Sequence, residues 1–192
     1  MFGPEFQSWF GFHSVPNRAQ PPQVGDRAPE SPNLSLEPSK RTVVTFLRHC
    51  GCPFAEQTFL RLRESAKKHS DIDFIAVSHS NKEATEKWHK SLPNYGSETD
   101  NLRIVVDSDL VSHGQWGLGA SGFLHVLDPR ALSNVFKLQK EQGISVRPTE
   151  SGSRWQTAGS FAIDENKNVR WGGPAARSDF VPDFEDAVKA FN

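Results

Sequence analysis

Hydrophobic and polar positions follow two rhythms along this chain. Thr42-Val43-Val44-Thr45-Phe46-Leu47 is a β-branched and aromatic run of strand length. Residues 72–78 form a second such run and residues 103–106 a third. Between them the period lengthens. Phe59, Leu60 and Leu62 punctuate residues 54–69, which hold no Pro or Gly, and this predicts a helix. Pro53 stands where that helix begins, because its fixed φ suits the first turn and its missing N–H is no loss there. Residues 82–90 predict a charged helix that ends before Pro93, and residues 109–116 a short one closed by Gly117 and Gly119. Asp128 and Pro129 cap and open a helix over 128–142 that Gly143 stops. Residues 160–164 and 168–171 flank Glu165-Asn166-Lys167 as a hairpin, and 184–191 close the chain as a helix.

Strands alternating with helices imply parallel crossovers, and the hairpin adds antiparallel strands. The expected class is α/β, with a mixed sheet flanked by helices on both faces and a helical insertion, 121–157, before the final hairpin. Residues 1–23 read as an aromatic arm and linker ahead of one domain, 24–192. The arm carries Phe2, Phe6, Trp9, Phe10 and Phe12, and Gln20-Pro21-Pro22-Gln23 favours an extended link. Two uses of the arm stay open: a free tail, or an amphipathic segment that docks on the body or on a second subunit. The stretch up to Pro38 runs over the surface, with at most a short strand at 33–36.

A length of 192 residues suits one domain with its own core. A net charge of -1 gives no sign of a nucleic-acid partner. No apolar run approaches the roughly 20 residues that span a bilayer, and the arm lacks the basic face of a membrane-surface helix. The N-terminus has neither the basic start and apolar run of a secretory signal nor, with Glu5 and a single Arg18, the make-up of a mitochondrial presequence. The only cysteines, Cys50 and Cys52, are one residue apart, so a bridge between them closes almost no loop and staples nothing. A reducing, cytoplasmic setting is the expectation.

Cys52 follows a strand and precedes a helix, where unpaired amides and the helix dipole favour a thiolate, the nucleophilic form. Arg48 and His49 lie close enough in sequence to add positive charge or a hydrogen bond. Cys50 reads either as a redox partner in a C-G-C pair or as the core-facing end of the strand. A second dense patch, residues 147–156, offers Arg147, Arg154 and Trp155, with Thr157 just beyond; such a set can bind an anionic or polar substrate. Arg154 is favoured over Arg147, being nearer the strand at 160–164. Phe123, Leu124, Val126 and Trp155 could give a pocket apolar walls. His113 reads as a helix cap rather than a base. One C-x-C with a histidine is poor metal spacing, so neither a metal nor another cofactor is expected.

Val24-Gly25-Asp26-Arg27-Ala28-Pro29 resembles the opening signature of AhpC/TSA proteins. Phe46-Leu47-Arg48 followed by Cys52-Pro53-Phe54 resembles the strand-to-active-site stretch of the peroxiredoxin-like branch, and Gly159-Ser160-Phe161-Ala162-Ile163-Asp164 its flanking strand. The resemblance implies a thioredoxin-like fold, Cys52 as nucleophile, and Pro53 and Phe54 beside the substrate. Three departures stand out. Ala55 replaces the second cysteine of redoxin-type members, His49 and Thr45 stand where typical peroxiredoxins carry Thr or Ser and Pro, and Thr157-Ala158-Gly159 lacks the usual cis-proline.

The leading expectation is a thiol oxidoreductase whose Cys52 attacks a peroxide, disulfide or other electrophile. Its catalytic set is Cys52, Cys50, Arg154 and His49; its substrate-binding set is Arg48, Pro53, Phe54, Arg147, Trp155 and Thr157. The partners are a small-molecule substrate and an external thiol reductant, with a homodimer contact as another use of the insertion. Two alternatives stand beside it. One is a non-redox enzyme on the same fold, catalysing an addition, isomerisation or cyclisation of a specific organic substrate. The other is a non-enzymatic interaction module, which expects no pocket at Cys52.

Overall fold

The computed structural model describes residues 3–10, 15–120 and 129–192. Phe2, Phe12, Phe123, Leu124 and Val126 lie outside the described residues, as does the cap at Asp128. Five strands form one sheet: β1 (Thr42–Phe46), β2 (Asp73–Ser78), β3 (Leu102–Val106), β4 (Gly159–Ile163) and β5 (Val169–Pro174). Their spatial order is β3-β2-β1-β4-β5. β1 pairs in parallel with β2, with Thr42 opposite Asp73, and β2 pairs in parallel with β3. β4 lies antiparallel to β1, with Phe46 opposite Gly159, and β5 antiparallel to β4. The helices are α1 (Pro4–Phe10), α2 (Pro53–Lys68), α3 (Lys82–Lys90), α4 (Val111–Gln115), α5 (Pro129–Gln142) and α6 (Phe184–Lys189). Where at most a short strand was expected, at 33–36, there is only a lone bridge that joins Ser31 to Leu34.

Side-chain alternation splits the core into two layers. Val43, Phe74, Ala76 and Ala162 point to the layer that holds Phe59 and Leu62 of α2 and Phe184 of α6. Val44, Phe46, Ile75, Val77, Phe161 and Ile163 point to the other, with Trp116 and Leu118. β1 is buried at every position because both faces are covered, which explains why its β-branched and aromatic run shows no charged position. Helix boundaries follow the expected chemistry. The Asn81 side chain accepts from the Ala84 N–H to cap α3, and Gly143 takes a φ of +70° just after α5.

Buried polar groups fix the end of the sheet. The Asp107 carboxylate accepts from the backbone N–H groups of Ser112 at 3.1 Å and His113 at 2.9 Å, and lies 2.7 Å from His113 Nδ1. His113 therefore anchors the start of α4. The supposed linker is itself packed. Ala19 N–H donates to the Gly114 carbonyl at 2.9 Å, and a Cβ at Gly114 or Gly117 would stand 2.2–2.3 Å from the backbone of Pro16 or Pro21.

Candidate active site

The segment from 143 to 158 returns from α5 to β4 across the carboxyl ends of β1 and β2, the edge where open α/β sheets bind ligands. It is stitched down along its length. Arg147 N–H donates to the Gly51 carbonyl at 3.0 Å, Ser80 Oγ to the Ser151 carbonyl at 3.0 Å, and Arg48 Nη2 to the Arg154 carbonyl at 2.8 Å. Thr149 Oγ1 lies 3.3 Å from His49 Nδ1. Ser153 N–H donates to His79 Nε2 at 3.2 Å.

Beneath this roof, β1 runs into a tight turn. Cys52 N–H donates to the His49 carbonyl at 3.0 Å, and Gly51 between them takes a φ of +121°. Cys52 is the N-cap residue of α2, with Pro53 opening the helix, yet its side chain makes no capping bond. The thiol is left for other chemistry. It lines a cavity of about 140 Å³, together with Arg48, His49, Pro53, Phe54 and Arg154. Five residues of the expected set therefore join Cys52 there.

Four others do not. Cys50 opens on a separate cavity of about 290 Å³, where its Sγ lies 3.6 Å from Ser78 Oγ and burial pushes the thiol pKa up. The left-handed residue between the two cysteines sends them to different cavities, and both are free thiols. Arg147 borders the Cys50 cavity and pairs with Glu56, its Nε 3.1 Å from Oε2. The Trp155 indole donates to the Trp9 carbonyl at 2.7 Å, and Thr157 Oγ1 to the Gly119 carbonyl at 2.8 Å; neither lines the Cys52 cavity.

Two expected roles also narrow. Of the two uses open to His49, positive charge or a hydrogen bond, the hydrogen bond is the one made, to Thr149, while the charged form is disfavoured. Burial, reinforced by the charges of Arg48 and Arg154, holds its pKa well below the ordinary value. Arg154 faces the cavity, yet its charge is already engaged. It pairs with Glu5 of α1, donates from Nε to Ser8 Oγ at 3.2 Å, and lies 4.8 Å over the Trp9 ring. Burial pushes the Glu5 carboxyl up, but the Thr149 N–H and Arg154 outweigh it and hold the pKa low. The described helix of the arm, α1, is thus docked on the 143–158 segment.

Sequence reading missed Trp9, Ala131, Leu132, Val135, Val146 and Ser178 as cavity residues. The apolar trio Ala131, Leu132 and Val135, spaced for one face of α5, was the available signal.

Gly51 gives a direct test of this geometry. A Cβ there would meet the Arg147 carbonyl oxygen at 2.9 Å and the Pro148 carbonyl oxygen at 3.0 Å. Gly51→Ala also forces a left-handed backbone on an L residue, so we expect a stability loss of about 2 kcal/mol or more in denaturant titrations. Cys52 alkylation should change with it, because the roof must shift. A variant with unchanged midpoint and alkylation rate would contradict the close approach.

No protein-family model and no curated protein matches the sequence. Solved structures do match. A peroxiredoxin-like protein from Aquifex aeolicus aligns with a TM-score of 0.62 at 15% identity, covering 95% of this chain and 94% of that one. Mycobacterium tuberculosis AhpC aligns at 0.52 and 14% identity, over 88% of this chain and 95% of its own. A thiol peroxidase from Chromobacterium violaceum also aligns at 0.52 and 14%, over 95% and 92%. Among the described residues, no helix is long and apolar enough to cross a membrane. With the mixed sheet, the strand order and the cysteine at the start of α2, these likenesses show that the chain has the thioredoxin fold in its peroxiredoxin-like form.

Proposed function

We propose that this protein is a thiol-dependent oxidoreductase that reduces hydroperoxides with Cys52 as its nucleophile. The observation that carries this reading is the Cys52 thiol, uncommitted at the N-terminus of a 16-residue helix and facing a cavity that also presents two guanidinium groups. The likeness in fold to a thiol peroxidase and to AhpC supports the reaction class.

In the reaction, the thiolate sulfur attacks the distal peroxide oxygen. An S–O bond forms, the O–O bond breaks, and the released alkoxide takes up a proton and leaves as an alcohol. Sulfur is oxidised to sulfenic acid. One external thiol then displaces water to give a mixed disulfide, and a second releases Cys52 as thiol with a disulfide product. The external reductant takes the resolving role because Cys50 opens on another cavity and its thiol pKa is raised. The cavity beside Cys52 also speaks against a purely interaction-based role.

The test is to treat reduced protein with one equivalent of cumene hydroperoxide in the presence of dimedone. Peptide mapping should find the dimedone adduct on Cys52 and no other residue. An unmodified Cys52 after peroxide consumption, or no consumption at all, overturns the reading.

A further inference from the structure

The Arg48 side chain is buried, with the residue 6% exposed, in the wall of the Cys52 cavity. Its Nη2 donates to the Arg154 carbonyl, while Nε and Nη1 have no partner among the described residues. Among the described residues, carboxylates near this end of the sheet are engaged elsewhere: Glu5 by Arg154, Glu56 by Arg147, Glu150 by Lys87 and Asp107 by His113. A guanidinium cannot relieve its burial by losing a proton, and an unpaired buried charge is costly. His49 beside it is neutral and brings no negative charge. No described residue supplies the missing anion, and the cavity beside Arg48 has room for one from outside.

The rest of the cavity says what the anion is attached to. Trp9, Phe54, Ala131, Val135 and Val146 make its walls apolar. Its volume of about 140 Å³ matches a benzene-sized body. We infer that the Cys52 cavity takes a small carboxylate with an apolar aliphatic or aryl body, its anionic end held by Arg48. The inference rests on the oxidoreductase reading only for what happens at the sulfur, where the substrate would be a hydroperoxide of this class. Arg48, rather than Arg154, selects the anion, because Glu5 already occupies the Arg154 charge.

Benzoate and its neutral counterpart benzamide are suitable probes, titrated calorimetrically into Cys52→Ser protein so that no chemistry intervenes. Benzoate should bind at least about tenfold tighter than benzamide, the effect of one charge-assisted hydrogen bond. Arg48→Met should remove that preference, and Arg48→Lys should keep it in weakened form. If Arg48→Met does not fold, the two probes and the Lys variant still decide. Equal binding of the two probes, a preference unchanged in either Arg48 variant, or displacement of benzoate by an equal concentration of chloride overturns the inference. Absence of the dimedone adduct with the benzoate preference intact removes only the oxidoreductase reading. The adduct without the preference removes only the carboxylate site.

Discussion

Cys52→Ser is expected to lower peroxide turnover by roughly a thousandfold or more, to the background of the thiol reductant alone. Cys50→Ser is expected to retain most of the wild-type rate. The contrast comes from placement. Cys52 heads α2 and faces the cavity that holds Arg48 and Arg154. Cys50 faces the other way, against Ser78 and Thr85, with its thiol made harder to ionise by burial. Coupled assays of hydroperoxide loss for both variants and the wild type decide the matter. A Cys50→Ser variant as inactive as Cys52→Ser would restore the C-G-C pair as the redox unit. Full activity in Cys52→Ala would instead favour a non-redox reaction in the same cavity.

The second large effect is on stability in mild acid. His79 is fully enclosed, and burial is the main cause that lowers its pKa from 6.5 to about 3; the neighbouring His113 adds to the shift. His49 shifts in the same direction for the same leading reason. The unfolded chain binds a proton at each of these histidines below pH of about 6.5, while the folded chain does not. Stability is therefore fully present above the unfolded value and falls as the pH drops from there toward the folded values. For His79 alone the loss between pH 6.5 and pH 5 is about 2 kcal/mol, and His49 adds to it. Urea midpoints at the two pH values measure it. His79→Gln should flatten the dependence, and a midpoint independent of pH across this window would contradict the buried neutral histidines. The roof over Cys52 stays tied either way: His79 Nε2 lies 3.2 Å from the Ser153 N–H and 3.1 Å from the Ser153 carbonyl, so the neutral ring accepts from the first and the protonated ring donates to the second.

The order of the main elements and the place of Cys52 are legible in the linear pattern. Strands at 42–46 and 73–78, the helix opened by Pro53 and the hairpin about 165–167 all appear where hydrophobic period and turn chemistry put them. Period and turn residues act over a few neighbours, so a linear reading captures them. It also placed Cys52 between β1 and α2, because that position depends only on adjacent elements. What each side chain would meet across the chain was decided by tertiary structure alone. Arg147 and Arg154 belong to one polar run, yet one pairs with Glu56 and the other with Glu5, on opposite sides of the C-G-C turn. Arg154 and Glu5 lie 149 positions apart, and no local pattern announces such a pair. The charge state of His49 follows from burial under that same roof, which exists only once residues 143–158 close over the sheet. Periodicity records which way a residue faces, but partners, burial and charge depend on contacts that long-range packing alone creates.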